Sequence, residues 1–400
     1  MRGRSGAVLA LGIATLAASW AFGSRPLALV GTGLVLAALS GKLWALAARG
    51  RVSLQRRTGR PAHVEGDDVS LDYRLERSSR LPLGTAYVVE TAGRLGRLQA
   101  HVRHGRARLV LERVPRGRYP LTDAEVVLED PLGLERVSVG FGGIGDALVV
   151  VPRIVVLDRL FTDAGRDAFQ GRRLLLRRPS GVDLHSVREY EHGESLRKVH
   201  WPTTARRGQL MVKELEDAPR DDLTVLLDCD ARAVSGPPGA SSFDAQVRAA
   251  GSLVRAYVAR GKRAALVLGT RSLTVVRASS LESDWSLVLQ ALAAVEPESD
   301  RPLARLLADE RSPAIRAPEL VVVSAALDDA AVDRLIGLAA RRRRISAVWV
   351  DAPSFAGRGG GGDPPALLRL AASGVPVAVV RSGTDLGIAL SGGIERRASA

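Results

Sequence analysis

LTVLLDCD (Leu223–Asp230) followed by FDAQVRAAGSLVRAYVARG (Phe243–Gly261) decides the fold of the second half of the chain. The first stretch is a nearly unbroken apolar run that ends on an aspartate. A strand with one wet face would alternate, so this run predicts a strand buried on both faces. The second stretch places its apolar residues at helical spacing and closes on Gly261. The rhythm then repeats outward. RAALVLG (Arg263–Gly269), ELVVVSA (Glu319–Ala325), ISAVWVDA (Ile345–Ala352) and VPVAVVR (Val375–Arg381) read as strands. Helices are expected from Asp284 to Val295, in DDAAVDRLIGLAARRRR (Asp328–Arg344) and in PALLRLAAS (Pro365–Ser373). Strands alternating with helices predict a parallel sheet with right-handed crossovers, over residues 221–400. In such sheets ligands bind at the carboxyl ends of the strands.

Two tracts inside this region invite chemistry and are better explained without it. GRGGGGD (Gly357–Asp363) lacks the Lys-Ser/Thr of a phosphate-binding loop and reads as a linker. Arg341–Arg344 ends a helix, where cations suit the helix dipole.

Upstream the period changes to two. DDVSLDYRLER (Asp67–Arg77), TAYVVETA (Thr85–Ala92), RLQAHVRHGRARLVLERV (Arg97–Val114) and DALVVVP (Asp146–Pro152) alternate apolar and polar residues between Gly/Pro turns. An antiparallel β-sandwich is expected over residues 51–152. His101 and His104 are three apart, on opposite faces of a strand, which does not suit a shared metal. His63 is read as an ordinary solvent-facing histidine.

Residues 1–50 read as a transmembrane helical hairpin. Ser5 to Ser24 carries no charge, and about 20 such residues make roughly 30 Å of helix, enough to span a bilayer core. Arg25 and Pro26 interrupt; Leu27 to Ala48 is broken only by Lys42. Trp20 and Trp44 lie near the span ends, as interfacial tryptophans do. A cleaved signal peptide would not be followed so soon by a second apolar stretch. Arg2 and Arg4 precede the first span and Arg49, Arg51, Arg56 and Arg57 follow the second, which predicts that both ends of the hairpin are cytoplasmic.

The chain of 400 residues has a formal net charge of +14 and 46% hydrophobic residues, which excludes global disorder. Only Lys42, Lys198, Lys213 and Lys262 are lysines among 57 basic residues. The arginines are spread along the chain, as GC-rich coding would leave them, so the charge alone does not identify a nucleic-acid binder. The single cysteine, Cys229, excludes an intrachain disulfide and a Cys-rich zinc site.

Between the two halves, residues 153–220 connect the domains and hold the densest polar chemistry: REYEHGESLRKVHWPTTARRGQLMVKE (Arg188–Glu214). Four arginines and two lysines are threaded among four glutamates. Arg188, Tyr190, Gly193, Glu194, Arg197, Val199, Trp201, Thr204, Ala205, Arg206, Leu210, Val212, Lys213 and Glu214 follow the pattern of the domain-of-unknown-function 58 family, which this segment resembles. Pro115–Leu134 and the N-terminal hairpin also look like that family. The resemblance implies a C-terminal domain similar to the von Willebrand factor A (Rossmann-like) fold. It also implies company, a MoxR-type AAA ATPase and a transglutaminase-like membrane protein, and no established enzymatic activity or cofactor.

Metal-binding von Willebrand A domains carry D-x-S-x-S after the first strand, whose oxygens hold a hard divalent cation. Here the positions are Asp228, Asp230 and Arg232, and the arginine's charge predicts a degenerate site. For Arg188–Glu214 three readings compete. A hydrolase would use His192 or His200 as base, Glu191 or Glu194 to orient it, and Ser195 or Thr204 as nucleophile, but no nucleophile-elbow pattern is present. Nucleic acid would meet nearly balanced local charge. A structural joint would tie Arg188, Glu194, Arg197 and Arg206 into charge-assisted hydrogen bonds and bury Trp201. The sequence therefore predicts a membrane-tethered scaffold that binds protein partners rather than an enzyme or a nucleic-acid binder.

Overall fold

A computed structural model describes residues 4–48, 52–57, 59–77, 84–142, 147–163, 184–190, 199–215, 222–341, 343–358 and 363–392. The chain divides into two compact units, Met1–Pro152 and Arg153–Ala400.

The first unit opens with helices α1 (Ser5–Phe22) and α2 (Arg25–Ala48), both long and apolar enough to cross a membrane. They pack antiparallel through small residues. Ser5, Gly12 and Ser19 recur every seventh position on the buried side of α1, and Gly31 and Ala38 do the same on α2. Small side chains let the backbones approach closely enough for dispersion contacts to hold the pair. A methyl group at Gly12 would sit 2.9 Å from Val35 Cγ2. Gly23, at φ 64°, turns the chain between the helices. The first helix stops before Arg25 and Pro26, which form the first turn of the second, where proline's missing N–H costs nothing. Trp44 is not at a lipid interface either. It is 8% exposed and packs into the β core that follows, whereas Trp20 is 89% exposed.

That core lies between two sheets. Strands β1 (Val52–Arg57), β3 (Val69–Arg77) and β6 (Arg106–Leu111) form one, in the order β1-β3-β6. The other runs β2 (His63–Val64), β9 (Ala147–Val151), β7 (Gly117–Glu129), β4 (Ala86–Ala92), β5 (Arg97–His101), with β8 (Arg136–Gly142) also on β7. Pairing is antiparallel except between β2 and β9. The period-two pattern sends Val69, Leu71, Tyr73 and Leu75 inward from β3 to join Val88, Leu121, Val126 and Leu148. Within this core Glu90 accepts hydrogen bonds from Arg56 and Tyr73, both at 3.0 Å.

In the second unit, β10 (Leu184–Glu189) and β11 (Met211–Leu215) form a two-stranded antiparallel ribbon. The other sheet has six strands, in the order β14-β13-β12-β15-β16-β17. They are β12 (Leu223–Leu227), β13 (Ala264–Leu268), β14 (Thr274–Ala278), β15 (Glu319–Ser324), β16 (Arg344–Val350) and β17 (Val377–Val380). All five residues of β12 are buried. Leu223, Val225 and Leu227 pack on one face against the helix Ser242–Ala259. Leu226 packs on the other with Leu303, Leu306, Val332 and Leu335. Helices on both faces are what forces the strand sequence to be apolar throughout.

The sheet is mixed, not wholly parallel: β14 runs antiparallel to β13 at one edge. Its residues Thr274–Arg277 are not fully covered, so the strand lacks the continuous apolar run that marks its neighbours. The Arg341–Arg344 run also divides. The helix Asp329–Ala340 ends before Arg341, while Arg344 begins β16 and pairs with Glu319 at 3.3 Å. Gly359–Gly362 of the glycine run lie outside the described residues.

Candidate functional site at the strand ends and signature ribbon

Strand β12 ends at Leu227, beside Val323 of β15, so the next residues, Asp228 and Ser324, are neighbours. Asp228 N–H donates to the Val323 carbonyl at 2.9 Å. The residue is 2% exposed. Oδ1 accepts from Asp230 N–H at 3.1 Å, and Oδ2 lies 2.7 Å from Ser324 Oγ. Burial disfavours the charged form and raises the pKa of Asp228 to about 6, against the opposing pull of these two hydrogen bonds.

Ser324 links Asp228 to the backbone that follows β15. Ser324 Oγ is also 3.0 Å from the Ala326 carbonyl and accepts Ala326 N–H at 2.9 Å. One hydroxyl proton cannot serve both the carbonyl and the carboxylate fully. Ser324 thus donates toward the Asp228 carboxylate and accepts from the Ala326 backbone, bridging the ends of β12 and β15.

Asp230 faces a different charge. Arg232 Nε lies 3.0 Å from its Oδ1 and Nη2 lies 2.6 Å from its Oδ2. This two-pronged bond holds the Asp230 carboxyl below the usual aspartate range. Asp328 is the cap of the helix Asp329–Ala340, accepting Ala331 N–H at 2.8 Å. These residues border an open groove of about 440 Å³, together with Ala233, Pro302, Leu303 and Ala326.

The donor set does not fit a divalent cation. A hard cation needs about six oxygens, yet Asp228 is committed to Ser324, Asp230 to a guanidinium and Asp328 to a helix end. Among the described residues no cluster of three or more His, Cys, Asp or Glu side chains has metal-binding geometry. Cys229 is wholly buried, its thiol 3.6 Å from the Leu227 carbonyl.

The signature segment forms the β10–β11 ribbon and the helix at its tip. Arg188 faces Val212 and Val187 faces Lys213 in register, with Ser186 opposite Glu214. Tyr190 N–H donates to the Leu210 carbonyl at 2.9 Å, and His200 N–H to the Met211 carbonyl at 2.7 Å. The helix Trp201–Arg207 starts with Pro202 in its first turn and stops at Gly208, φ 68°. Thr204 Oγ1 accepts Met211 N–H at 3.0 Å, which ties the helix back onto the ribbon.

Burial divides these residues. Val199 and Met211 are 3% and 2% exposed and anchor the segment. Trp201 is 62% exposed and Leu210 is 41% exposed, with Ala205 and Arg206 also outside. Trp201 therefore does not fill a core. It is the first residue of a short helix with no buried residue, and the buried positions are Val199, two residues earlier, and Met211, the first residue of β11. Gly193, Glu194 and Arg197 of the motif lie outside the described residues.

Of the residues a hydrolase would use, His200 and Thr204 are described. His200 Nδ1 meets Thr203 Oγ1 at 2.7 Å, not Thr204. Among the described residues no group bonds its other ring nitrogen, so no orienter completes a triad. Glu191, His192, Glu194 and Ser195 lie outside the described residues. Sequence reasoning also missed Ser324. Its signal was available: a serine ends the apolar run ELVVVSA, and a parallel neighbour of LTVLLDCD brings it beside Asp228.

Residues 186–354 match the family model described as "Protein of unknown function DUF58". A curated relative, "Uncharacterized protein YeaD" of Bacillus subtilis (strain 168), is 26% identical over 221 residues, covering 55% of this chain and 53% of that protein. The chain thus spans about half the length of the curated relative it matches. Among solved structures, a conjugative transposon lipoprotein from Bacteroides eggerthii DSM 20697 aligns with 24% of this chain and 97% of its own, at 11% identity and TM-score 0.16. Cwp6 from Clostridium difficile aligns with 84% of this chain and 38% of its own, at 9% identity and TM-score 0.18. Scores this low carry no argument about fold or function.

Proposed function

With residues 186–354 belonging to the DUF58 family, we propose that this chain is a membrane-anchored, non-enzymatic scaffold whose signature ribbon docks a protein partner. The observation that carries this reading is the exposure of Trp201 and Leu210 on a short, hydrogen-bonded platform. Exposed large apolar side chains held rigidly lose little entropy on binding, and tryptophan is enriched at interface hot spots. Arg206 and Arg207, in the last turn of the same helix, add a cationic rim.

The α1–α2 hairpin supplies the membrane anchor in this reading, with the remainder of the chain on the cytoplasmic side. A reporter fused after Arg60 tests that orientation, and extracytoplasmic activity of the reporter would reverse it. The six-stranded sheet is read as von Willebrand factor A-like, supported by the helices on both faces and by Asp228 after strand β12. The partner proposed from the family resemblance is a MoxR-type AAA ATPase, acting with a transglutaminase-like membrane protein in envelope protein maturation.

The test is direct binding of the purified full chain to the MoxR-type ATPase of the same cell, with and without nucleotide. Saturable binding that weakens in Trp201→Ala and Leu210→Ser supports the reading. Binding unaffected by both substitutions removes the ribbon as the docking site.

A further inference from the structure

A basic groove on the first unit has no role in the reading above. Two adjoining hollows of about 820 and 710 Å³ share His101 and Arg103 as lining. Six arginines (Arg57, Arg74, Arg77, Arg103, Arg106 and Arg108) line them against one aspartate, Asp72. Asp72 is already held by Arg108 at 2.7 Å. Among the described residues Arg57, Arg103 and Arg106 have no carboxylate partner. Unneutralised cations gathered in a concave surface focus a field that concentrates anions.

One end of this groove opens where the helical hairpin enters the unit. Arg77 faces Val52 across β1 and β3, and α2 ends at Ala48, just before Val52. Gly84 lines the same end, and its N–H donates to the Glu129 carbonyl at 3.0 Å. The turn that follows Glu129 is bonded to the start of α1. Arg4 N–H donates to the Leu134 carbonyl at 2.8 Å, and the Ser5 hydroxyl to Glu135. At the tip of that turn Leu132 is 58% exposed. An apolar tip and a cationic hollow thus share the base of the hairpin.

We infer that the Arg77–Arg103–Arg106 end of the groove binds the phosphodiester headgroup of an anionic phospholipid in the leaflet at the hairpin base, with Leu132 dipping into the interface. This rests on the hairpin being embedded in a membrane. Arg57 is five residues farther along the paired strands, roughly 17 Å away, and adds to the field rather than to the contact. A nucleic acid or an acidic protein segment would need the far end equally, and neither accounts for the groove meeting the hairpin.

The full chain in neutral detergent is titrated with dioleoylphosphatidylglycerol, dioleoylphosphatidylcholine, inorganic phosphate, poly-glutamate and a single-stranded oligonucleotide, following thermal melting. Phosphatidylglycerol is expected to raise the melting temperature saturably and in a salt-sensitive way, with phosphatidylcholine and phosphate inert. At roughly fivefold per cation near an anionic surface, Arg103→Gln/Arg106→Gln weakens half-saturation about twentyfold, and Arg118→Gln, outside the groove, leaves it unchanged. Equal shifts with phosphatidylcholine or phosphate, a double variant that keeps the parent's response, or a stronger shift with poly-glutamate or the oligonucleotide would each overturn the inference. Alkaline carbonate extraction separates it from the anchor reading. If the chain stays in membranes but shows no preference for phosphatidylglycerol, only the groove assignment fails. If it is extracted yet keeps the preference, only the anchor fails.

Discussion

Arg232 grips both oxygens of Asp230 through one edge of its guanidinium, Nε at 3.0 Å and Nη2 at 2.6 Å, at the carboxyl end of the central sheet. A guanidinium from the chain itself thus occupies the Asp230 carboxylate beyond the end of β12. Asp230 belongs to a guanidinium and Asp228 to a hydroxyl, so the two carboxylates, two residues apart in sequence, do not converge on one point.

Metal independence follows. The melting temperature of the full chain is expected to be unchanged by millimolar Mg²⁺ or Mn²⁺. Arg232→Ser, which frees Asp230 and adds a hydroxyl oxygen, is the variant in which a response would first emerge. A saturable rise in the parent that disappears in Asp228→Ala would show that the arginine does not close the site.

Asp228 makes stability depend on pH in the direction opposite to most aspartates. Its pKa is raised from 3.8 to about 6, so between those values the folded state holds more proton than the unfolded chain. Stability from this group is fully present below about pH 4, is lost as pH rises through about 6, and is flat above. The loss amounts to about 3 kcal/mol at most. Asp228→Asn keeps the shape, lets the amide donate to Ser324, and is expected to flatten the melting profile between pH 4 and 6. Parallel profiles for parent and variant would place the titration elsewhere.

The α/β half was readable because burial on both faces leaves no alternation, and β12, β13, β15 and β16 all carry that signature. The edge strand β14 was not, since its Thr274 and Arg277 face solvent and blur the pattern. Trp44 and Trp201 were misread for a shared reason. Aromatic residues look alike in sequence whether they anchor a core or a surface, and the difference lies in neighbours that only the fold supplies. Ser324 is 96 residues from Asp228, and their meeting depends on strand order, which local spacing does not encode.

The exposure of Trp201 reverses the usual expectation for a signature tryptophan. Trp201→Ala is expected to change stability by no more than about 0.5 kcal/mol, as surface substitutions do, while weakening partner binding. Met211→Ala, at a buried position, is expected to cost about 2–5 kcal/mol. Thermal melting of the two variants beside the parent checks this. A large loss in Trp201→Ala alone would mean that the ring is structural after all.

The hairpin makes the sharpest steric prediction, because its glycines divide into two kinds. A Cβ at Gly12 meets Val35 at 2.9 Å, and one at Gly31 meets Leu16 at 2.8 Å, whereas Gly6 and Gly33 have nothing within 4 Å. Gly12→Val and Gly31→Val must push the helices apart, and overpacking of this kind costs about 1–3 kcal/mol. Gly6→Val and Gly33→Val face open space and are expected to melt like the parent in detergent. The paired-hairpin reading expects α1 in the mature chain, seated on the small-residue face of α2. Intact-mass measurement of the chain from membranes should therefore find Ser5–Phe22 present. Loss of that segment, or equal melting of all four variants, would remove the paired hairpin and leave α2 to anchor the chain alone.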